Sequence, residues 1–207
     1  RGNFSVCETT NPNKDVAARA FGHTTAGLFG YTHITGGYAG GQAEYLRVPH
    51  ADYGPVKVPS VGEDERFLFL SDVLPTAWQG VKYANVPEGG TLAVLGLGPI
   101  GQMAARIGAH LGYRVIGVDP VAERRAMAAR HGIEVLEGGE GVVEELRERT
   151  DGRGPDSVVD AVGIPQTYET AFYARDLAGR VPAHAVGDDE DAALRERRVL
   201  VERAHPP

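Results

Sequence analysis

The stretch TLAVLGLGPIGQMAARIGAHLGYRVIGVD, residues 91–119, carries the strongest structural signal in this 207-residue chain. Its apolar segment 91–95 predicts a buried strand, and glycines follow at 96, 98 and 101. The pattern then predicts a helix over 99–112 and a second strand over 114–118. The stretch is therefore expected to form a strand, a glycine-rich turn, a helix and a second, parallel strand.

The glycine spacing predicts a site for a dinucleotide. Gly-x-Gly-x-x-Gly between a strand and a helix allows Gly96 to form a tight turn and Gly98 to bring the backbone close to a pyrophosphate. Gly101 then lets the helix pack closely on the strand. The helix begins at Pro99 and Ile100. Pro99 lacks only an N–H that would be unpaired anyway, and the free N–H groups of this first turn and the helix dipole favour a phosphate.

An acidic residue at the end of the second strand indicates which dinucleotide is bound. Asp119 follows Gly101 by 18 residues, close to the spacing of about 20 at which a carboxylate accepts hydrogen bonds from the ribose hydroxyls. A carboxylate there repels a 2′-phosphate, so the sequence predicts NAD rather than NADP. Arg124 is placed either to reach the same ribose or the phosphates, or to be a solvated charge on a helix face.

The rest of the chain extends this unit into an α/β domain with a doubly wound parallel sheet. Further helices are expected over 122–131, 142–150 and 166–178, and further strands over 133–136 and 157–161. A helix broken near Pro75 is expected within 64–80, and a poor strand over 180–186. Residues 1–60 are glycine-rich, with short strands expected over 43–48 and 55–58. Residues 188–207 lack an apolar stripe and are expected to form an irregular tail.

Composition excludes some classes of partner. The formal net charge of −7 argues against nucleic acid and against an anionic membrane surface. No apolar run approaches the roughly 20 residues of a membrane-spanning helix. A single cysteine cannot form an internal disulfide, so a reducing cytoplasm is the expected location. The chain also begins without methionine or a signal segment, which suggests a piece of a longer protein.

Three segments together resemble one enzyme family. They are GQAEYLRVP at 41–49, SDVLPT at 71–76, and the paired glycines 89–90 followed by LGLGPIG at 95–101. They resemble the medium-chain zinc-dependent alcohol dehydrogenases, most closely the glutathione-independent formaldehyde dehydrogenase-like branch. The resemblance implies a partial, β-rich GroES-like catalytic domain over 1–62, an incomplete Rossmann domain over 63–187, and truncation at both ends.

The resemblance also implies site residues. Asp72 occupies a position at which this branch binds the catalytic zinc, and Thr76 one that lines the nicotinamide site. The residues alone favour Asp72 as the N-cap of the following helix. Val162, in the turn after the strand at 157–161, matches a position whose backbone borders the cofactor, although an ordinary strand end explains it equally well. Cys7 resembles a structural-zinc ligand whose three partner cysteines are absent here.

The function implied is hydride transfer between a small alcohol or aldehyde substrate and NAD, assisted by zinc, in a parent that is a homo-oligomer. Two alternatives stay open. One is a non-catalytic NAD-binding fragment, because the other zinc ligands are missing. The other is a zinc-free quinone reductase-like enzyme, although such enzymes prefer NADP and Asp119 argues against that cofactor.

Overall fold

The computed structural model describes residues 7–60 and 62–175. The chain divides into two compact units, residues 1–61 and 62–207. The expected strand over 180–186 and the expected tail over 188–207 lie outside the described residues. No helix in the described ranges is long and apolar enough to cross a membrane.

The first unit is built mainly from turns. Helix α1 spans Lys14–Phe21, and a short 3-10 helix spans His33–Thr35. Asn11, which is 1% exposed, donates its side-chain amide to the Ile34 carbonyl at 2.9 Å and so ties the start of the unit to this 3-10 helix. Within the described residues, the strand-like pairing in this unit is an isolated parallel bridge between Phe29 and Tyr38.

The short strands expected in the first unit are not observed. Residues 43–48 and 55–58 have no regular secondary structure. Polar and apolar residues alternate over 43–48, which would give a strand one buried face, but Tyr45 is 91% exposed and Leu46 is 39% exposed. A strand needs a hydrogen-bonded partner as well as the alternation. Residues 43–48 have the alternation without such a partner, so they remain irregular.

The described part of the second unit contains a four-stranded parallel sheet. Its strands are β1 (Thr91–Leu95), β2 (Arg114–Asp119), β3 (Glu134–Glu137) and β4 (Ser157–Asp160). They lie in the order β3-β2-β1-β4, and every pairing is parallel. The chain therefore moves outward from β1 through β2 to β3 and then crosses to the other side of β1. This confirms the doubly wound sheet, with its reversal of strand order between β1 and β4.

Among the residues up to 175, five α-helices cover the two faces of the sheet. They are α2 (Val73–Ala84), α3 (Pro99–His110), α4 (Ala122–Ala129), α5 (Val142–Glu148) and α6 (Pro165–Ala174). Alternate residues of β1 face opposite sides: Leu92 and Val94 pack with residues of α2, α3 and α4, whereas Ala93 and Leu95 pack with α5 and α6. Burial on both faces explains why β1 is a continuous apolar run.

The break expected near Pro75 is not observed. A 3-10 helix spans Asp64–Phe67, and α2 begins only at Val73, so Pro75 lies in its first turn. The first helical N–H groups have no partner within the helix, so a proline there costs little. The helix also passes the expected end at residue 80 and stops before Asn85, whose φ is 46°.

Candidate functional site

The first glycine of the turn, Gly96, has a backbone conformation and a close neighbour that no larger residue would tolerate. Gly96 has a φ of +85°, a region that favours glycine. Its N–H donates to the Val118 carbonyl at 2.7 Å, which fixes the turn to β2. A Cβ at this position would overlap the Cγ2 atom of Val162, in the turn after β4. The structure therefore brings two predicted site residues, Gly96 and Val162, into contact.

The other two glycines differ in their surroundings. A Cβ at Gly101 would overlap the Gly96 carbonyl oxygen, so this glycine lets α3 lie against the turn. A Cβ at Gly98 would meet no atom within 4 Å. Gly98 also has ordinary extended angles, φ −69° and ψ −170°. Neither the fold nor the backbone conformation therefore explains a glycine at this position. Close approach of a ligand to the Gly98 backbone would explain it.

Helix α3 begins at this open position. Gly98 is its N-cap residue and makes no side-chain cap, and Pro99 occupies the first turn. Pro99 is exposed, and Ile100 is half-buried. The first N–H groups of an α-helix have no intrahelical partner and carry a partial positive charge. The turn therefore presents backbone donors to an anion beside a space that no side chain fills.

Asp119 ends β2 next to the turn and is only 1% exposed. Its Oδ2 atom accepts the Leu97 N–H at 2.7 Å, and its Oδ1 atom accepts the Val121 N–H at 2.8 Å. The Arg124 Nη1 atom lies 3.5 Å from Oδ2. Asp119 thus braces the glycine turn itself, and each of its oxygens retains a second lone pair for another donor.

Gln102, which the sequence analysis did not single out, also holds the turn. Its side-chain amide donates to the Leu97 carbonyl at 3.0 Å and to the Arg124 carbonyl at 2.8 Å. Both backbone polar groups of Leu97 are therefore held: its N–H donates to Asp119, and its carbonyl accepts from Gln102. No sequence pattern marks such a contact, because it depends on how α3 and α4 pack.

A second turn follows β4. Val162 is 44% exposed, and its N–H donates to the Asp160 carboxylate at 2.9 Å. Asp160 is itself 5% exposed and also accepts from the Thr167 hydroxyl at 3.0 Å. Neither Asp160 nor Thr167 was predicted from the sequence. The available signal was an acidic residue inside a predicted buried strand, because such a group must be satisfied by hydrogen bonds.

Asp72 and Thr76 lie together at the start of α2. The Thr76 hydroxyl donates to the Asp72 Oδ1 atom at 3.0 Å. Asp72 occupies the N-cap position that its residue type predicted, but its side chain caps no backbone N–H. Within the described ranges no three His, Cys, Asp or Glu side chains are grouped as metal ligands. A catalytic zinc site takes three protein ligands, so the described residues do not form one by themselves.

Cys7 lies in the first unit and lines an apolar cavity of about 500 Å³ together with Phe29, Tyr38, His50 and others. A hydrogen bond from the Thr10 side chain, with others from the backbone N–H groups of residues 9 and 10, lowers the pKa of the Cys7 thiol. The thiol is free of any disulfide. A lone thiol in this position does not make a zinc site.

Comparisons with known proteins agree with this geometry. A family model described as "Zinc-binding dehydrogenase" matches residues 99–205, more than half of the chain. That match extends over most of residues 188–207, for which the sequence alone predicts an irregular tail.

The chain is similar to an uncharacterized zinc-type alcohol dehydrogenase-like protein of Bacillus subtilis, with 40% identity over 77% of this chain. It is also 36% identical to a glutathione-independent formaldehyde dehydrogenase of Pseudomonas aeruginosa over 77% of this chain. The structure of an alcohol dehydrogenase from Thermus sp. ATN1 superposes with a TM-score of 0.72 and 34% identity, covering 80% of this chain and 49% of that one.

The chain spans only about two fifths of the length of these curated relatives, 41% of the first and 39% of the second. The family match nevertheless includes the helix that follows the glycine turn, the acidic end of β2 and the turn after β4. This chain therefore belongs to the zinc-binding dehydrogenase family.

Proposed function

We propose that this chain supplies the NAD-binding site of a zinc-dependent alcohol or aldehyde dehydrogenase, in which hydride passes between an alcohol-type substrate and NAD. The observation that carries the proposal is the open space at Gly98, at a helix N-terminus and beside the reversal of strand order. Ligands of doubly wound sheets bind at that reversal, beyond the carboxyl ends of the strands.

The pyrophosphate is proposed to bind at the N-terminus of α3. Gly98 leaves room for phosphate oxygens to reach the backbone, and the N–H groups of Ile100 and Gly101 belong to the first helical turn. Pro99 removes one N–H without loss, because that donor has no partner within the helix. Hydrogen bonds between backbone N–H groups and a charged phosphate contribute about 1.5–3 kcal/mol each.

The adenosine ribose is proposed to bind at Asp119, on the β2 side of the reversal. Both carboxylate oxygens already accept a backbone N–H, so the carboxylate is pre-oriented and would use its remaining lone pairs for the ribose hydroxyls. Because Asp119 is 1% exposed and Arg124 lies beside it, Arg124 must swing aside or share the ribose. The carboxylate opposes a 2′-phosphate, which favours NAD over NADP.

The nicotinamide half would then lie on the β4 side, next to Val162. When bound, NAD supplies the acceptor for a hydride from the substrate. The residues of this chain orient it: the glycine turn holds the phosphates, and the turn after β4 borders the other half. Thr76 is proposed to line the nicotinamide site, as its position in the SDVLPT segment implies.

For zinc, the described residues supply one candidate ligand, Asp72, and its Oδ1 atom already accepts the Thr76 hydroxyl. We propose Asp72 as one ligand of the zinc in the complete site. The same observation supports a second function, NAD binding without turnover by this chain alone.

Equilibrium titration of the full chain with NADH and NADPH, followed by nucleotide fluorescence, tests the proposal. We expect saturable NADH binding and weaker NADPH binding. A preference for NADPH would instead favour a quinone reductase-like function, and failure of both nucleotides to bind would reject the cofactor site. Alcohol-dependent NADH formation, measured with and without added zinc, separates the two NAD-binding functions: zinc-dependent turnover by this chain alone would contradict the non-catalytic one.

A further inference from the structure

The turn after β4 is held by one buried carboxylate. The Asp160 Oδ1 atom accepts the N–H of Val162 at 2.9 Å and that of Gly163 at 3.2 Å. Its Oδ2 atom accepts the Thr167 hydroxyl at 3.0 Å. Asp160 thus joins the end of β4, the turn itself and the first turn of α6. A carboxylate that is 5% exposed depends on such donors, because burial removes most of its hydration.

Thr167 links this carboxylate to the helix. Its hydroxyl lies 3.0 Å from the Asp160 Oδ2 atom and 3.0 Å from the Ile164 carbonyl, and it has a single proton to donate. A charged carboxylate is the stronger acceptor, so the proton is expected to go to Asp160. The hydroxyl oxygen also lies 3.4 Å from the Ile164 N–H, at the start of α6. Loss of this hydroxyl therefore loosens the helix start and the carboxylate together.

The turn that Asp160 holds is in contact with the glycine turn. A Cβ at Gly96 would overlap the Val162 Cγ2 atom, so the valine side chain packs against the first glycine. Val162 is nevertheless 44% exposed, so the fold leaves part of this residue uncovered. A displacement of the turn after β4 therefore moves a residue beside the reversal of strand order, whereas Asp119 is held by its own hydrogen bonds from Leu97 and Val121.

We propose that Asp160 and Thr167 are positioning residues for the nicotinamide half of the bound dinucleotide. The inference rests on the proposed function. Neither residue needs to touch the cofactor, because both act through the backbone of Val162 and Gly163. Asp119 lies across β1 from this turn, so the adenosine half should be insensitive to them.

The test compares two nucleotides on variants of the full chain. NADH contains both halves, and ADP-ribose lacks the nicotinamide. Thr167→Val removes the hydroxyl with little change in volume, and Thr167→Ser keeps the hydroxyl. Thr170→Val is the matched control, because Thr170 lies on the same helix and its hydroxyl donates only to the Gln166 carbonyl among the contacts observed, at 2.9 Å.

In Thr167→Val we expect the Kd for NADH to rise about fivefold to tenfold, while the Kd for ADP-ribose stays within about twofold. Thr167→Ser should restore NADH binding, and Thr170→Val should change neither Kd. Asp160→Asn serves as a second variant, since it replaces one acceptor oxygen by an amide, and it should weaken NADH selectively as well.

Equal weakening of both nucleotides, or no weakening of either, would overturn the proposal. Loss of the fold in both Thr167→Val and Asp160→Asn, read from circular dichroism, would also overturn it, because these residues would then support the domain as a whole. Failure of the unsubstituted chain to bind either nucleotide is a separate outcome, which rejects the proposed function itself.

Discussion

Replacement of Gly98 by alanine should separate ligand binding from stability. The added Cβ meets no atom within 4 Å, and the backbone angles are ones that alanine adopts readily. Gly→Ala in a conformation that alanine adopts stabilises a protein by about 0.4–1 kcal/mol, because it restricts the unfolded chain. Gly98 is the N-cap residue of α3, a position at which alanine is less favourable than glycine, and this opposes the gain. We therefore expect Gly98→Ala to change the free energy of unfolding by less than about 0.5 kcal/mol.

The same methyl group should weaken NADH binding strongly. It would occupy the space through which phosphate oxygens approach the N-terminus of α3. Loss of one charge-assisted hydrogen bond costs about 1.5–3 kcal/mol, so the Kd for NADH should rise about tenfold to a hundredfold. Binding is measured by NADH fluorescence titration, and stability by urea denaturation of the same preparations.

Gly101→Ala is the matched control. Its Cβ would overlap the Gly96 carbonyl oxygen, so the backbone must shift. Overpacking of this kind costs about 1–3 kcal/mol of stability, so this variant should lose stability and binding together. The reasoning is refuted if Gly98→Ala binds NADH with a Kd within about twofold of the unsubstituted chain, or if Gly98→Ala is destabilised as much as Gly101→Ala.

Two further predictions concern ionisable groups. Burial alone would raise the pKa of Glu134, but hydrogen bonds from Arg114 and Arg149 outweigh it and lower the pKa below its usual 4.5. The carboxylate therefore stabilises the fold above pH 4.5, and this contribution is lost as the pH falls through the folded-state pKa. Glu134→Gln should cost about 0.5–1 kcal/mol at pH 7 and nearly nothing well below that pKa, by urea denaturation; an equal cost at both pH values would contradict the assignment. The pKa of Cys7, lowered mainly by the Thr10 hydroxyl, predicts that the pH midpoint for iodoacetamide alkylation lies below that of the urea-denatured chain. Thr10→Val should move the midpoint upward, and an unchanged midpoint would exclude that hydroxyl as the cause.

Local sequence patterns predicted the core of the second unit well, because its elements are set by short-range physics. Residues 91–119 combine a continuous apolar strand, glycines in a fixed spacing and an amphipathic helix, and each feature is visible within a few residues. The resulting strand and helix bounds agree with β1, α3 and β2 to within two residues, apart from ordinary fraying at the helix end.

The predictions from sequence were wrong where contacts outside the local segment determine the secondary structure. The alternation at 43–48 satisfies the local rule for a strand, but strand formation also needs a neighbour along the backbone. Pro75 predicted a break, yet the helix begins just before it, at a position that only the actual N-terminus defines. Local patterns place a proline but not the helix boundary around it.

The contacts of the site were also only partly predictable. Asp119 was expected to face a ribose. In the structure its carboxylate also accepts a hydrogen bond from the Leu97 N–H. Gln102 was missed because its side chain donates to the Arg124 carbonyl of another helix, a relation that spacing alone does not encode. Asp160 was missed although its backbone partner, the Val162 N–H, lies only two residues further along the chain. Asp72 and Thr76 are four residues apart, a spacing that a helix brings together, although here the pair lies at the helix start.

The central claim is that the glycine turn is where the dinucleotide binds. The most direct measurement is a titration of the ¹⁵N-labelled chain with NAD, followed by the amide resonances in ¹H–¹⁵N NMR spectra. We predict the largest shifts at Gly98, Ile100 and Gly101, with smaller ones at Val121 and Val162. Amide resonances of the glycine turn that stay in place while NAD saturates the protein would contradict the account.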